Sequence, residues 1–337
     1  MNLLSAKRVQ LYSFIREEEV ARLVHRVAES YPSTTNLTKL LGIYANDVIC
    51  RVAYGRDFSA GGEYNRHGFQ NMLEEFQILL GGISIGDFFP SMEFIHSLTG
   101  MKSRLQNVFQ RFDKLFDQLL TEHQNPEREK KEHKDLIDIL LDMQKNDSDE
   151  MPLTTDNVKA LIMDMFTGGT DTTYITLDWG ITELIMNPKI MERAQAESPR
   201  ESMQEVIIDG YNIPAKTRFY VNAWAIGRDP ESWENPDIFE PERFMGSTID
   251  FKGQHFELIP FGAGRRSCPA ITFGTANVEL ALAQLLHSFD WELPPGVTAK
   301  DLDMTEVFGI TMNRIADLIV IAKPRFPLDH ANDNLKN

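Results

Sequence analysis

Cys268 is the residue around which the chemistry of this chain is arranged. It lies in Phe261-Gly262-Ala263-Gly264-Arg265-Arg266-Ser267-Cys268-Pro269-Ala270, a glycine-rich, doubly cationic loop that runs into an apolar helical pattern over 271–289. A thiol there faces the positive end of a helix and nearby guanidinium groups, a setting suited to a thiolate. The glycines open backbone conformations closed to other residues and let a bulky planar partner come close. A thiolate so seated binds something soft, and haem iron is the leading candidate. Two plainer readings stand beside that one. A lone cysteine is most often a small buried hydrophobe, which is the reading for Cys50 in the apolar run Val48-Ile49-Cys50. Cys268 could also be a nucleophile, with one of the eight histidines as its base.

A second cluster, Gly168-Gly169-Thr170-Asp171-Thr172-Thr173, falls inside a long helical pattern over 155–186. Each glycine there costs about 1 kcal/mol relative to alanine, so one expectation is a break between two helices. The other is a local distortion, in which hydroxyls compete for backbone carbonyls and the glycines let a flat cofactor lie against the helix.

The elements that must position these clusters are mostly helices. Apolar stripes mark 16–27, 36–52, 69–80, 101–123 and 135–144 before the long helix, which exceeds the usual globular length and should cross the core. The stretch 125–134 is almost wholly charged and reads as a solvated connector. Beyond Pro199 the texture changes. Residues 206–213 and 217–221 carry a β-hairpin signature, and a second short hairpin is expected near 307–321. The expected fold is mainly α with a small β region. No internal repeat is visible.

Composition narrows the function. The 337 residues are 42% hydrophobic and 25% charged, which is ordinary globular chemistry. A net charge of −16 leaves no basic footprint for nucleic acid. Two distant cysteines give no disulfide framework, so a reducing compartment is expected. No run of eighteen apolar residues is present to span a bilayer, and 1–19 lacks the apolar core of a signal peptide.

The cysteine loop resembles the haem-binding loop of the cytochrome P450 monooxygenases, whose pattern is Phe, two residues, Gly, one, Arg, one, Cys, one, Gly. Phe261, Gly264, Arg266 and Cys268 fall in register, with Ala270 in place of the last glycine. The Gly168–Thr173 cluster resembles the distal helix of the same family, and Pro199-Arg200-Glu201-Ser202 and Pro241-Glu242-Arg243-Phe244 resemble two further segments of its plant microsomal members. The resemblance implies haem b with Cys268 as iron ligand, and Asp171 and Thr172 managing protons for dioxygen cleavage. It implies Arg200 and Arg266 on the haem propionates, and Phe261, Gly264, Gly168 and Gly169 against the cofactor. It further implies electrons from NADPH through cytochrome P450 reductase, a small apolar substrate met by residues of 69–85, 162–166 and 307–310, and a place in secondary metabolism. Intact members sit on the cytosolic face of the endoplasmic reticulum through an N-terminal anchor. That anchor is expected to be missing here, which leaves a cytosolic or peripheral location open as the alternative.

The same resemblance implies an incomplete fold: one haem-thiolate domain over 1–325, a polar tail over 326–337, and gaps at two places. The chain begins near the fourth helix of the family pattern, without the Trp/Arg-bearing helix that holds a propionate. Between the segment Asn187–Glu197 and Pro199 the family carries several dozen residues, including a Glu-x-x-Arg helix that pairs with the arginine matching Arg243. Glu197 and Arg200 satisfy those letters, but Pro199 disfavours a helix there. Arg243 is thus expected to be a buried cation without its mate, a loss of roughly 3–5 kcal/mol. Three functional readings follow: a haem-thiolate monooxygenase, a catalytically incompetent remnant with weak or no haem binding, and a cysteine-nucleophile hydrolase.

Overall fold

The computed structural model describes residues 3–56, 66–81, 90–92, 99–128, 133–145, 153–186, 198–201, 205–208, 210–307 and 311–326. In chain order the main elements are α1 (Ala6–Leu11), α2 (Ser13–Glu29), β1 (Thr35–Asn36), α3 (Leu37–Tyr54), α4 (Arg66–Gly81), α5 (Met101–Gln124), α6 (Leu136–Lys145) and α7 (Thr155–Met186). After these come β2 (Ser198–Glu201), β3 (Val206–Ile208), β4 (Tyr211–Ile213), β5 (Arg218–Val221), α8 (Ile271–Ser288), β6 (Phe289–Glu292), β7 (Glu306–Val307), β8 (Asn313–Arg314) and β9 (Ile319–Pro324). They fall into two compact units. The first holds 1–178, 272–298 and 303–337; the second holds 179–271 and 299–302.

The first unit is organised on α3. Asn36 caps this helix by accepting from the Lys39 amide at 3.0 Å, which satisfies one of the free N–H groups of the first turn. The run Tyr44 to Cys50 is buried throughout, so α3 has neighbours on several sides. Tyr54 stacks on Phe166 of α7 with ring centroids 5.9 Å apart. Tyr44 donates from its hydroxyl to the Asn277 carbonyl of α8 at 3.0 Å. Burial pushes the Tyr44 phenol well above its ordinary value, and a neutral hydroxyl donor suits that carbonyl. Cys50 is fully buried, as its apolar run implies.

The long helix runs unbroken from Thr155 to Met186 through both glycines, so the expected break is absent. Packing outweighs propensity here. Ile162, Phe166, Leu177 and Ile181 are all buried, and helices in proteins draw most of their stability from such faces.

The strands depart from expectation in their pairing. The first hairpin closes inside 206–213, with Ile208 opposite Tyr211 and Gly210 at φ 83° in the turn. Residues 218–221 pair instead with β2, placing Arg200 opposite Phe219. Near the C-terminus β7 pairs only with β8, while β9 joins a three-stranded sheet in the order β1-β9-β6. The apolar pattern that reads as helix through Phe289 thus ends in strand β6. In the second unit Trp233 and Phe239 are buried, with Trp233 edge-on to Phe244 at 5.8 Å.

Candidate functional site

The cysteine loop of the second unit is closed by its own backbone. The Cys268 amide donates to the Phe261 carbonyl at 2.8 Å, Ser267 to Gly264 at 3.2 Å, and Gly262 to Ile259 at 2.9 Å. Gly262 and Gly264 stand at φ 69° and 71°, conformations that side-chain-bearing residues rarely adopt. Phe261 meets Phe251 with centroids 5.9 Å apart. Gly253, which the sequence pattern does not mark, is the tightest contact of the loop. A Cβ there would lie 2.8 Å from the Gly262 carbonyl oxygen, on a backbone at φ 80°. The Asp250-Phe251-Lys252-Gly253 turn is a visible signal for it, since Asp250 accepts from the Lys252 amide at 2.9 Å.

Cys268 is a free, half-buried thiol whose sulfur accepts from the Ala270 amide at 3.4 Å. Ala270 fits where the family pattern has glycine because its backbone is ordinary. Among the described residues only Lys216 and Asn235 take positive φ without being glycine. No histidine shares a hydrogen bond with this sulfur among the described residues. Arg266 is exposed and unpaired among the described residues, which leaves its guanidinium open to an anion. The Arg200 side chain lies outside the described residues.

Arg243 corrects an expectation. Its guanidinium donates to the carbonyls of Glu234 at 2.9 Å, Asn235 at 3.1 Å, Ile238 at 2.6 Å and Glu240 at 3.2 Å. The Glu240 carboxylate stands 3.7 Å away. This arginine is therefore not left without partners. Local carbonyls wrap it, and the segment 234–243 is folded around it.

The distal cluster of the first unit divides between two faces of α7. On one, Gly168 has open space where a Cβ would stand, and Thr172 is exposed, its hydroxyl donating to the Gly168 carbonyl at 2.6 Å. On the other, Gly169 packs on α3, where a Cβ would come 2.4 Å from Ile49 Cδ1. Gly168 therefore leaves open space on its face of the helix, and Gly169 serves helix packing. Hydroxyls do compete for carbonyls as expected, with Thr173 donating to Gly169 at 2.8 Å and Thr176 to Thr172 at 2.7 Å. Asp171 is 3% exposed, and its Oδ2 accepts from the Thr311 hydroxyl at 3.2 Å. Thr311 is a residue that sequence reasoning missed, being 140 positions away.

The expected substrate-facing segments are only partly seen. Ile162 and Phe166 lie in the core rather than on a chamber wall. Met72, Leu73 and Leu79 are buried while Ile78, Leu80 and Val307 are exposed. Residues 82–85 and 308–310, and the side chains of 69–71 and 74, lie outside the described residues. Among the described residues no helix is long and apolar enough to cross a membrane.

The residues present fit a haem. Within the second unit, a half-buried thiol with one amide donor, glycines that permit the tight loop and an exposed arginine are the donor set that thiolate-ligated iron requires; within the first, the 168–172 cluster leaves an open glycine and an exposed hydroxyl.

Comparison with known proteins agrees. The family model described as cytochrome P450 matches residues 1–198 and 198–317, two stretches that meet at Ser198. Cytochrome P450 71AP13 of Prunus mume is 69% identical over 366 positions, covering 97% of this chain and 71% of its own. Those 366 positions exceed the 337 residues here, so the relative carries residues with no counterpart in this chain. Cytochrome P450 71A1 of Persea americana is 42% identical over 96% of this chain and 73% of its own. In fold, a zebra fish cytochrome P450 solved with abiraterone aligns at TM-score 0.71 and 21% identity, over 97% of this chain and 83% of its own. The cysteine loop, the glycine-acid-threonine helix and these matches lead to one conclusion: the chain belongs to the cytochrome P450 family as a plant member, a haem-dependent monooxygenase shorter than its relatives.

Proposed function

We propose that residues 1–325 form one haem-thiolate domain, followed by a polar tail, that hydroxylates a small apolar plant metabolite. The relatives named melianol synthase and desmethyl-deoxy-podophyllotoxin synthase support a role in secondary metabolism. The reaction would convert R–H, O2, NADPH and H+ into R–OH, H2O and NADP+. NADPH-cytochrome P450 reductase would supply the electrons at the cytosolic face of the endoplasmic reticulum. Haem iron, when bound, supplies the redox chemistry that activates dioxygen. Cys268 is its ligand, with the Ala270 amide holding the sulfur. Phe261 and Gly264 shape the loop, Arg266 and Arg200 are the anchors for the propionates, and Gly168 makes room at the distal helix. Thr172 holds its hydroxyl on the open face, and Asp171 is the buried acid that passes protons towards it.

The observation that carries this reading is the half-buried free thiol at the closed mouth of the Phe261–Cys268 loop. A second reading, a remnant that folds without retaining haem, is favoured by the family match that breaks at Ser198. One spectrum separates them. Reduced with dithionite and exposed to carbon monoxide, the purified protein is expected to show the strongly red-shifted Soret band of thiolate ligation, lost in Cys268→Ser. A protein without haem, or with a band of neutral ligation, would establish the remnant instead.

A further inference from the structure

One face of α7 is tied to a single short segment by three polar contacts. The Thr311 hydroxyl donates to Asp171 Oδ2 at 3.2 Å, the Tyr174 hydroxyl donates to Asn313 Oδ1 at 3.0 Å, and Arg314 Nε donates to Asp178 Oδ2 at 3.0 Å. Positions 171, 174 and 178 are spaced by three and four, so they share a helix face. Their partners lie within four consecutive residues, Thr311 to Arg314. The lower end is anchored most firmly. The Arg314–Asp178 pair has side-chain exposures of 1% and 5%, and Asp178 also accepts from the Thr38 hydroxyl. That hydroxyl in turn accepts from the Leu318 amide at 2.8 Å, so α3, α7 and the C-terminal strands share one network.

The acid and the alcohol of the distal cluster are thus held by different means. Thr172 is held by its own helix, through the Gly168 carbonyl. Asp171 contacts the strap. We propose that Thr311 is a positioning residue for Asp171, aiming the acid that feeds protons to the open face of α7. The inference rests on the reading of Asp171 as the proton-passing acid. An ionised carboxylate only accepts hydrogen bonds, and a threonine hydroxyl has one proton to donate. A β-branched side chain is stiff at χ1, so the donor is aimed rather than free to swing. The two lower contacts hold the strap against the helix, and the Thr311 hydroxyl touches Asp171.

The chemistry gives a readout that needs no organic substrate. With reductase and NADPH alone, O2 leaves as H2O2 after two electrons and two protons, or as two H2O after four of each. Prompt proton supply favours water. Thr311→Val, which removes the hydroxyl and keeps the shape, is expected to raise the ratio of H2O2 to water about tenfold, below the roughly 100-fold that a full 1 Å misplacement can cost. Thr311→Ser should restore it, and Thr311→Val should add nothing in an Asp171→Asn background. Variants are compared at equal carbon monoxide-complex absorbance, and amide exchange across 169–175 is followed in parallel, with or without haem. Faster exchange in Thr311→Val, reversed in Thr311→Ser, is the expected result.

Different outcomes sink different ideas. If Asp171→Asn raises peroxide while Thr311→Val matches the parent, the role of Thr311 falls and that of Asp171 stands. If Asp171→Asn itself changes nothing, both fall. Full additivity in the double variant, or unchanged exchange in Thr311→Val, would overturn the positioning role.

Discussion

The cysteine loop and the distal helix are held together by opposite means. Around Cys268 the fastenings are backbone: amide to carbonyl across Phe261 and Cys268, glycines in positive φ, and an arginine whose main partners are carbonyls. Along α7 the fastenings are side chains from distant parts of the chain: Arg314 on Asp178, Thr311 on Asp171, Ile49 against Gly169. Arg243 and Arg314 make the contrast sharp. Arg243 draws its carbonyl partners from 234–240, within nine residues of itself, so it keeps them without a carboxylate from another helix. Arg314 donates to a carboxylate 136 positions away, and among the described residues its Nη2 is buried without a partner. A locally fastened loop does not lean on distant side chains for these bonds. A helix held by remote side chains is sensitive to single substitutions.

The contrast breaks most readily at Arg314. Arg314→Met strands the Asp178 carboxylate in the core, and removing one member of such a pair costs roughly 3–5 kcal/mol. Chemical denaturation should show a large fall in midpoint with the slope unchanged. Adding Asp178→Leu should recover much of the loss, because an apolar pair of similar volume is often neutral. No recovery would mean that Thr38 and Leu318 need the carboxylate more than Arg314 does.

The loop is attacked through backbone, not charge. Gly253→Ala places a Cβ against the Gly262 carbonyl at 2.8 Å, on a φ of 80°, where both partners are main chain and cannot swing aside. The expected loss is about 1–3 kcal/mol, the range for a residue forced into a sparse backbone region. Haem occupancy read from the Soret band should fall with it, since Gly253 supports the turn that carries Phe261. Full occupancy in this variant would show that the 250–253 turn is only a passive neighbour.

A third test uses pH on the junction between α5 and α6. Burial alone would raise the Asp135 carboxyl, but hydrogen bonds from His123 at 3.0 Å and Arg128 at 2.8 Å, with the Asp138 amide at 3.0 Å, outweigh it and hold it below the usual carboxylate range. A depressed folded value means that this stability is present above about pH 3.9, the ordinary aspartate value, and fades as pH falls through the folded one. Asp135→Asn should therefore flatten the acid limb of the stability curve below that point. An unaltered acid limb would assign the loss to other carboxylates.

These contrasts also explain what could be read from sequence. The span 155–186 of α7 is legible because prolines at 152 and 188 bracket a long helical pattern, although its paired glycines also admit a break. The cysteine loop is legible because its chemistry depends on residue type at fixed short spacing. Arg128, by contrast, reads as part of a solvated charged stretch and instead pairs with Asp135 and Asp138. The three-stranded sheet is hidden for another reason: β1 is two residues long, too short for any period, and Thr35 finds Val320 across most of the chain. The sequence over 206–221 carries two competing turn signals, Asp209-Gly210 and Ala215-Lys216. Gly210 reaches φ 83° without strain and closes the tighter hairpin, while Lys216 at φ 63° leaves 218–221 for β2. Local chemistry survives translation into sequence, and remote pairing does not.

The two glycines of the distal cluster give the smallest and most discriminating test. Side by side in sequence, they face different surroundings, so the same substitution should have different effects. Gly168→Ala meets nothing within 4 Å, and the gain in helix propensity should stabilise the protein by about 1 kcal/mol. If Gly168 also makes room for the cofactor, that gain is accompanied by weaker haem retention, so stability and occupancy move apart. Gly169→Ala has the same gain but drives a methyl to within 2.4 Å of Ile49 Cδ1, the movable end of a side chain. Overpacking of that kind costs typically 1–3 kcal/mol, which cancels or reverses the gain. Ile49→Val should relieve Gly169→Ala and leave Gly168→Ala untouched. Equal effects of both alanines on melting temperature and on Soret absorbance would mean that α7 turns no distinct faces to core and cofactor, and the division of the cluster between packing and chemistry would fail with it.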